Sequence, residues 1–143
     1  MPFKNQKTQF EWVKIEFIPI TAVKYTCHST KKVEVSVNAG SKWISPFCID
    51  IHYTNKSIEG IGIHHEITAM ADWRLGKFIG DDLNGIPLIV KLTDNNGHAY
   101  ICGQLEQPLL LTYENRANGP EDGFCTQFQI SGDTLYPLMD LLD

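Results

Sequence analysis

Residues 32–37 read Lys-Val-Glu-Val-Ser-Val, and this strict two-residue period constrains the chain more than any other feature. In an extended strand successive side chains point to opposite faces. Val33, Val35 and Val37 therefore share one face, and Lys32, Glu34 and Ser36 the other. Asn38-Ala39-Gly40-Ser41 ends the run with turn chemistry. The same period recurs over residues 11–18, where Val13, Ile15 and Phe17 oppose Lys14 and Glu16, with Trp12 out of register. Pro19 cannot donate to a ladder and marks the strand's end, a bulge or an edge; residues 20–26 resume an extended path. Over residues 47–53, Phe47, Ile49, Ile51 and Tyr53 fall on one face and Cys48, Asp50 and His52 on the other.

Residues 58–68 also alternate, and Gly60 and Gly62 argue against a helix there, each costing about 1 kcal/mol in one. Residues 69–78 accommodate a short helix, and Gly80-Asp81-Asp82-Leu83-Asn84-Gly85 reads as a polar loop. Residues 86–92 and 98–103 form strands around Asp94-Asn95-Asn96-Gly97, whose Asn-Gly pair takes the positive φ angles of a tight hairpin. Residues 108–114 and 124–130 add two more, separated by a turn over 118–123. These four strands are expected to form a meander. About eight strands in all predict a mainly β fold: an antiparallel β-sandwich or partly open β-barrel, one domain over residues 1–143, with at most one or two short helices.

Of the 143 residues 43% are apolar and 20% charged, enough for a real core. Net charge is -5, from 12 basic and 17 acidic residues. A chain so balanced lacks the basic face that displaces counterions from phosphates, so no nucleic-acid partner is expected. Lys24, Lys31 and Lys32 read as a solvated strip. No run reaches the roughly 18 apolar residues of a membrane span, and no apolar leader core follows Met1-Pro2-Phe3-Lys4. The expected location is cytoplasmic, or within a virion-like particle assembled there, with no membrane partner. Cys27, Cys48, Cys102 and Cys125 are expected as reduced thiols, mostly buried.

Chemistry-bearing patterns are sparse. Cys48, Asp50 and His52 are zinc-ligand types on one predicted strand face, but a structural zinc site uses four ligands, commonly in close pairs. No metal or other cofactor is expected. His64 and His65 point to opposite sides of a strand. Cys27 and His28 are sequence neighbours, which is not the geometry of a nucleophile and its base. There is no G-x-S-x-G elbow and no glycine-rich phosphate cradle. Asp81-Asp82 and Glu121-Asp122 read as solvated loop acids. Counted as a calcium loop from Asp94, the twelfth position is Leu105 instead of glutamate. The chain is therefore expected not to be an enzyme. Trp43 and Trp73 are candidates for a carbohydrate or small-ligand platform. The C-terminal segment, with Leu135, Tyr136, Leu138, Met139, Leu141 and Leu142, is apolar for a terminus. It is expected to dock on its own core or on a neighbouring subunit; the second option implies a protein partner, including a homo-oligomer.

From Gly85 to Pro137 the chain runs Ile-Pro-Leu-Ile-Val-Lys-Leu-Thr-Asp-Asn-Asn-Gly, an aromatic strand ending in Gly103, then Gln-Pro-Leu-Leu-Leu-Thr-Tyr and a closing Gly-Phe-Cys-Thr-Gln-Phe-Gln-Ile-Ser-Gly. This pattern resembles small prophage-encoded β-rich proteins of gut bacteria. The resemblance implies a phage structural or tail-associated component that works through protein-protein contacts. It carries no catalytic or binding residue with it.

Overall fold

The computed structural model describes residues 11–60, 62–117 and 124–142. Within these, the side chains of residues 73–75, 77, 78, 115–117 and 124 are outside the description. Ten strands form in chain order: β1 (Trp12–Pro19), β2 (Val23–His28), β3 (Lys32–Val37), β4 (Ile49–Ile58), β5 (Gly62–Asp72), β6 (Pro87–Asp94), β7 (Ala99–Cys102), β8 (Leu109–Ala117), β9 (Phe124–Thr134) and β10 (Met139–Leu141). One α-helix, α1 (Trp73–Leu83), and a short 3-10 turn at Ile20–Ala22 complete the described elements. The mainly β architecture read from the alternation is the one that forms.

The strands run in the order β1-β4-β5-β9-β8-β6-β7-β10-β3-β2, and β6 also pairs with β1. That extra pairing closes β1, β4, β5, β9, β8 and β6 into an antiparallel barrel. Ile15, Phe17, Ile67, Leu88, Phe128 and Ile130 fill its interior and are completely buried. The Phe17 and Phe128 rings meet edge to face, centroids 5.9 Å apart, an arrangement worth about 1 kcal/mol beyond the area it buries.

β6 is where the sheet forks. One edge of β6 pairs with β1, while β7 lies opposite Val90–Thr93 and β8 opposite Pro87 and Leu88. The expected four-strand meander is therefore corrected: β7 leaves the barrel, and β8 returns to β6 instead of to β7. The strands β7, β10, β3 and β2 form a second layer over the outside of β1 and β6. Ile18, Ile89, Val33, Ile101 and Met139 make a second core between the layers. Both faces of β6 are thus buried, which explains its near-continuous apolar run.

Two β-bulges move side chains away from the faces that simple alternation assigns. A register shift between Trp12 and Lys14 sends Trp12 toward the barrel core and leaves Val13 55% exposed. On β4, Ile49 lies opposite Met70 but His52 opposite Thr68, so three steps on β4 match two on β5. Asp50, within that bulge, has φ 51°. Cys48 therefore points into the core, while Phe47 and Ile49 point out.

The helix also sits later than residues 69–78: β5 continues to Asp72, and Asp81 and Asp82 lie in the last turn of α1 instead of a loop. α1 covers one end of the barrel, with Ile79 and Leu83 joining the barrel core. Gly76 and Gly80 allow this close approach. A Cβ on Gly76 would lie 2.5 Å from Thr126 Cβ, and one on Gly80 2.6 Å from the Tyr113 ring. The Tyr113 hydroxyl donates to Asp81 Oδ1 across the same contact. Among the described residues no helix is long and apolar enough to cross a membrane.

Candidate functional site

The β4 bulge builds the most distinctive surface of the molecule. The barrel seam between β1 and β4 is sparsely paired: Phe17 exchanges backbone bonds with Ile44 at 2.8 and 2.7 Å, and Trp12 pairs with Ile51. Between those points the chain swings out through Pro46 to Asp50. Phe47 is 79% exposed and Ile49 55%, a large apolar display for two adjacent surface positions. Behind them opens a cleft of about 280 Å³, lined also by Asp50, Met70, Ala71, Asp72 and Cys125. Met70 and Asp72 are on the outer face of β5, and Cys125 lies opposite Asp72 in the β5–β9 register. Among the described residues no basic side chain forms an ion pair with Asp50 or Asp72. The cleft therefore combines an apolar rim with two carboxylates that have no ion-pair partner among the described residues.

A second arrangement lies inside the barrel at His65, which is fully buried. Its Nδ1 is 2.7 Å from the Tyr53 hydroxyl and its Nε2 2.7 Å from Thr134 Oγ1. Thr134 Oγ1 donates to the Tyr136 carbonyl at 2.5 Å, and Asn55 Nδ2 donates to the Tyr53 oxygen at 3.3 Å. One proton assignment satisfies every member. Tyr53 donates to Nδ1, and the Nε2–H donates to Thr134, whose own hydroxyl donates to the Tyr136 carbonyl. That assignment requires a neutral imidazole, and burial accordingly holds the His65 pKa below its ordinary 6.5. Burial also raises the Tyr53 phenol.

Neighbouring His64 faces the other way and meets opposite chemistry. Its Nδ1 lies 2.6 Å from Asp133 Oδ1 and its Nε2 3.3 Å from Glu66 Oε2. The hydrogen bond to Asp133 raises its pKa first, with Glu66 adding to the effect. When this ring is protonated, both nitrogens donate to these carboxylates and neither lone pair is open to a metal or a proton.

The expected site residues are dispersed. Cys48 is buried, and burial pushes its thiol up to about 12. Asp50, within the bulge, and His52, at its end, are exposed, and among the described residues no group of three His, Cys, Asp or Glu side chains converges as a metal site. Trp43 is half-buried against the second core, with the Lys91 ammonium 4.5 Å from its ring centroid. Trp73 opens α1, and its side chain lies outside the described part, as do Glu121 and Asp122. Lys24, Lys31 and Lys32 are exposed on the β2–β3 hairpin.

Asp94 accepts from the backbone N–H groups of Asn96 and His98 at 2.9 and 3.0 Å and shapes the expected hairpin turn. In the C-terminal segment, Met139 is buried, Leu138 and Leu141 pack on the cores, and Leu135, Tyr136 and Leu142 are exposed. No local pattern marked Phe47, Met70, Asp72 or Cys125 as site residues; the β4 bulge and the β5–β9 register bring them together.

No family model, no curated protein and no solved structure matches the chain.

Proposed function

We propose that this chain is a non-enzymatic structural or assembly protein acting through protein-protein contacts, of the phage-derived, virion-associated kind that its C-terminal part resembles. The observation that carries the reading is the cleft beside the β4 bulge. Exposed Phe47 and Ile49 supply apolar area, and Asp50 and Asp72 supply charge without a described counter-ion. The complementary partner is a protein segment bearing a lysine or arginine next to an apolar side chain. Such contacts gain energy from buried aromatic area and specificity and on-rate from charge. The thiols support the non-enzymatic half of the reading. Cys48 and Cys102 are buried with raised pKa values, so little nucleophilic thiolate forms at neutral pH.

Nuclear magnetic resonance titration tests this with two synthetic peptides of equal length, one alternating Leu with Lys and Arg and the other alternating Leu with Glu. The basic peptide is expected to shift the backbone signals of Phe47, Ile49 and Asp72. Phe47→Ser and the double variant Asp50→Asn/Asp72→Asn should each weaken that binding about tenfold. Equal binding of both peptides, or shifts confined to other surfaces, overturns the assignment of the cleft.

A further inference from the structure

We infer that the slot between β3 and β7 is a strand-exchange site, in which β10 of a second copy of this chain takes the place of the chain's own β10. The inference rests on the assembly reading above and names its partner and its mode.

β10 is only three residues long, yet it occupies an interior position in the outer layer. On one side it pairs antiparallel with β7, Met139 opposite Ile101 and Asp140 opposite Tyr100. On the other it pairs in parallel with β3, Asp140 opposite Lys32 and Leu141 opposite Val33, and the Leu142 N–H donates to the Val33 carbonyl at 2.8 Å. The other sheet neighbour of β3 is β2, which lies at the sheet's end. Among the described strands, the β2–β3 hairpin is thus joined to the rest of the sheet by β10 alone. Met139 is buried in the second core. An empty slot would expose that core between two unpaired strand edges, the arrangement that recruits an incoming strand.

Apart from Leu138, which packs on the barrel core, the link to β10 is held by polar and surface contacts that can be remade. The Leu135 N–H donates to Gln107 Oε1 at 2.7 Å. The Tyr136 carbonyl accepts from Thr134, and its ring lies on His28. Leu135 is 62% exposed, and Pro137 has no N–H to lose. Every bond that β10 makes to β3 and β7 forms equally well when the strand comes from another copy. Exchange therefore costs the hinge contacts and association entropy, and concentration offsets the second. Each chain both donates and accepts one strand, so exchange gives a closed pair or an open chain of copies.

The test mixes two full-length variants in a Cys27→Ser background, one with Lys32→Cys and the other with Asp140→Cys. Both substituted positions are exposed and lie opposite one another in register. Neither variant alone can form the 32–140 link, so a disulfide between those positions, mapped by mass spectrometry after mild oxidation, reports strand donation in trans. The expected result is a linked heterodimer whose yield rises with protein concentration and falls when unmodified chain is added in excess. Absence of this product after prolonged mixing at high concentration overturns the inference. An independent arm deletes Leu135 and Tyr136, so that β10 no longer reaches its own slot. Sedimentation should then give dimers or larger species, and a strict monomer counts against exchange. Cleft binding of the basic peptide in the absence of any link sinks exchange but leaves the assembly reading intact. Linkage without peptide binding does the reverse to the cleft.

Discussion

The Tyr136 ring lies flat against the His28 imidazole, with 3.9 Å between centroids and 7° between planes. The stack ties the start of the C-terminal segment to the end of β2, two places that the chain order separates widely. Tyr136→Ala should lower unfolding free energy by about 1 kcal/mol, the scale of an aromatic pair, whereas Tyr136→Phe should stay close to the parent because the ring remains. Urea denaturation of the two variants decides this; equal losses would show that the stack contributes nothing.

Acid should weaken the fold through His65. Its folded-state pKa is lowered below 6.5 by burial, so below that value the unfolded chain binds a proton that the folded chain resists. The stabilisation is complete above 6.5 and is lost as pH falls through the folded value. His28 is also lowered, burial outweighing the nearby Glu106, and acts in the same direction. His64 is raised and acts oppositely, giving stability present at low pH and lost as pH rises, but it is solvent-accessible and screened. The urea midpoint should drop between roughly pH 7.5 and 5.5, and the drop should shrink in His65→Gln. An undiminished drop in that variant would assign the effect elsewhere.

Replacing Gly80 by alanine should destabilise, against the usual rule. In an ordinary helix the change gains about 1 kcal/mol. Here the new methyl would lie 2.6 Å from Tyr113 ring carbons, and overpacking of this kind costs ~1–3 kcal/mol. A double-mutant cycle with Tyr113→Ala should reveal the coupling: once the ring is gone, Gly80→Ala should regain its usual favourable sign.

Lys91 and Glu16 face each other across the β1–β6 pairing, 3.6 Å apart, with side chains 18% and 11% exposed. Lys91→Ala strips Glu16 of its inner partner and Trp43 of its cation, while Lys14 stays 3.8 Å from the same carboxylate, so the loss should be ~1–3 kcal/mol. Adding Glu16→Gln should recover part of that loss by removing the buried charge. If the double variant is no better than Lys91→Ala alone, the charge is not what the lysine compensates.

Much of the architecture could be read in the chain because burial on a strand leaves a direct trace in residue order. Val33, Ile89, Val90 and Phe128 fell where alternation or a continuous apolar run placed them. Three features left no such trace. The β4 bulge was invisible because Phe47, Ile49, Ile51 and Tyr53 alternate perfectly on paper; one extra backbone step turns the first two outward. α1 was displaced because Gly76, Gly80, Asp81 and Asp82 are poor helix residues, and their use depends on Thr126 and Tyr113, which arrive from distant strands. The His65 network needs Tyr53, Thr134 and Tyr136, brought together by pairings spanning about half the chain, so local pattern could assign it only a face.

β6 is a party wall. Leu88 and Val90 belong to the room inside the barrel, Ile89 to the one outside it, and the backbone bonds of the same strand serve β1, β7 and β8. Neither compartment owns a complete set of walls. A cut in the connection between β3 and β4 would therefore give two fragments that stay folded only while together, since the piece carrying β1 and the piece carrying β6 each supply half of the partition both rooms lean on.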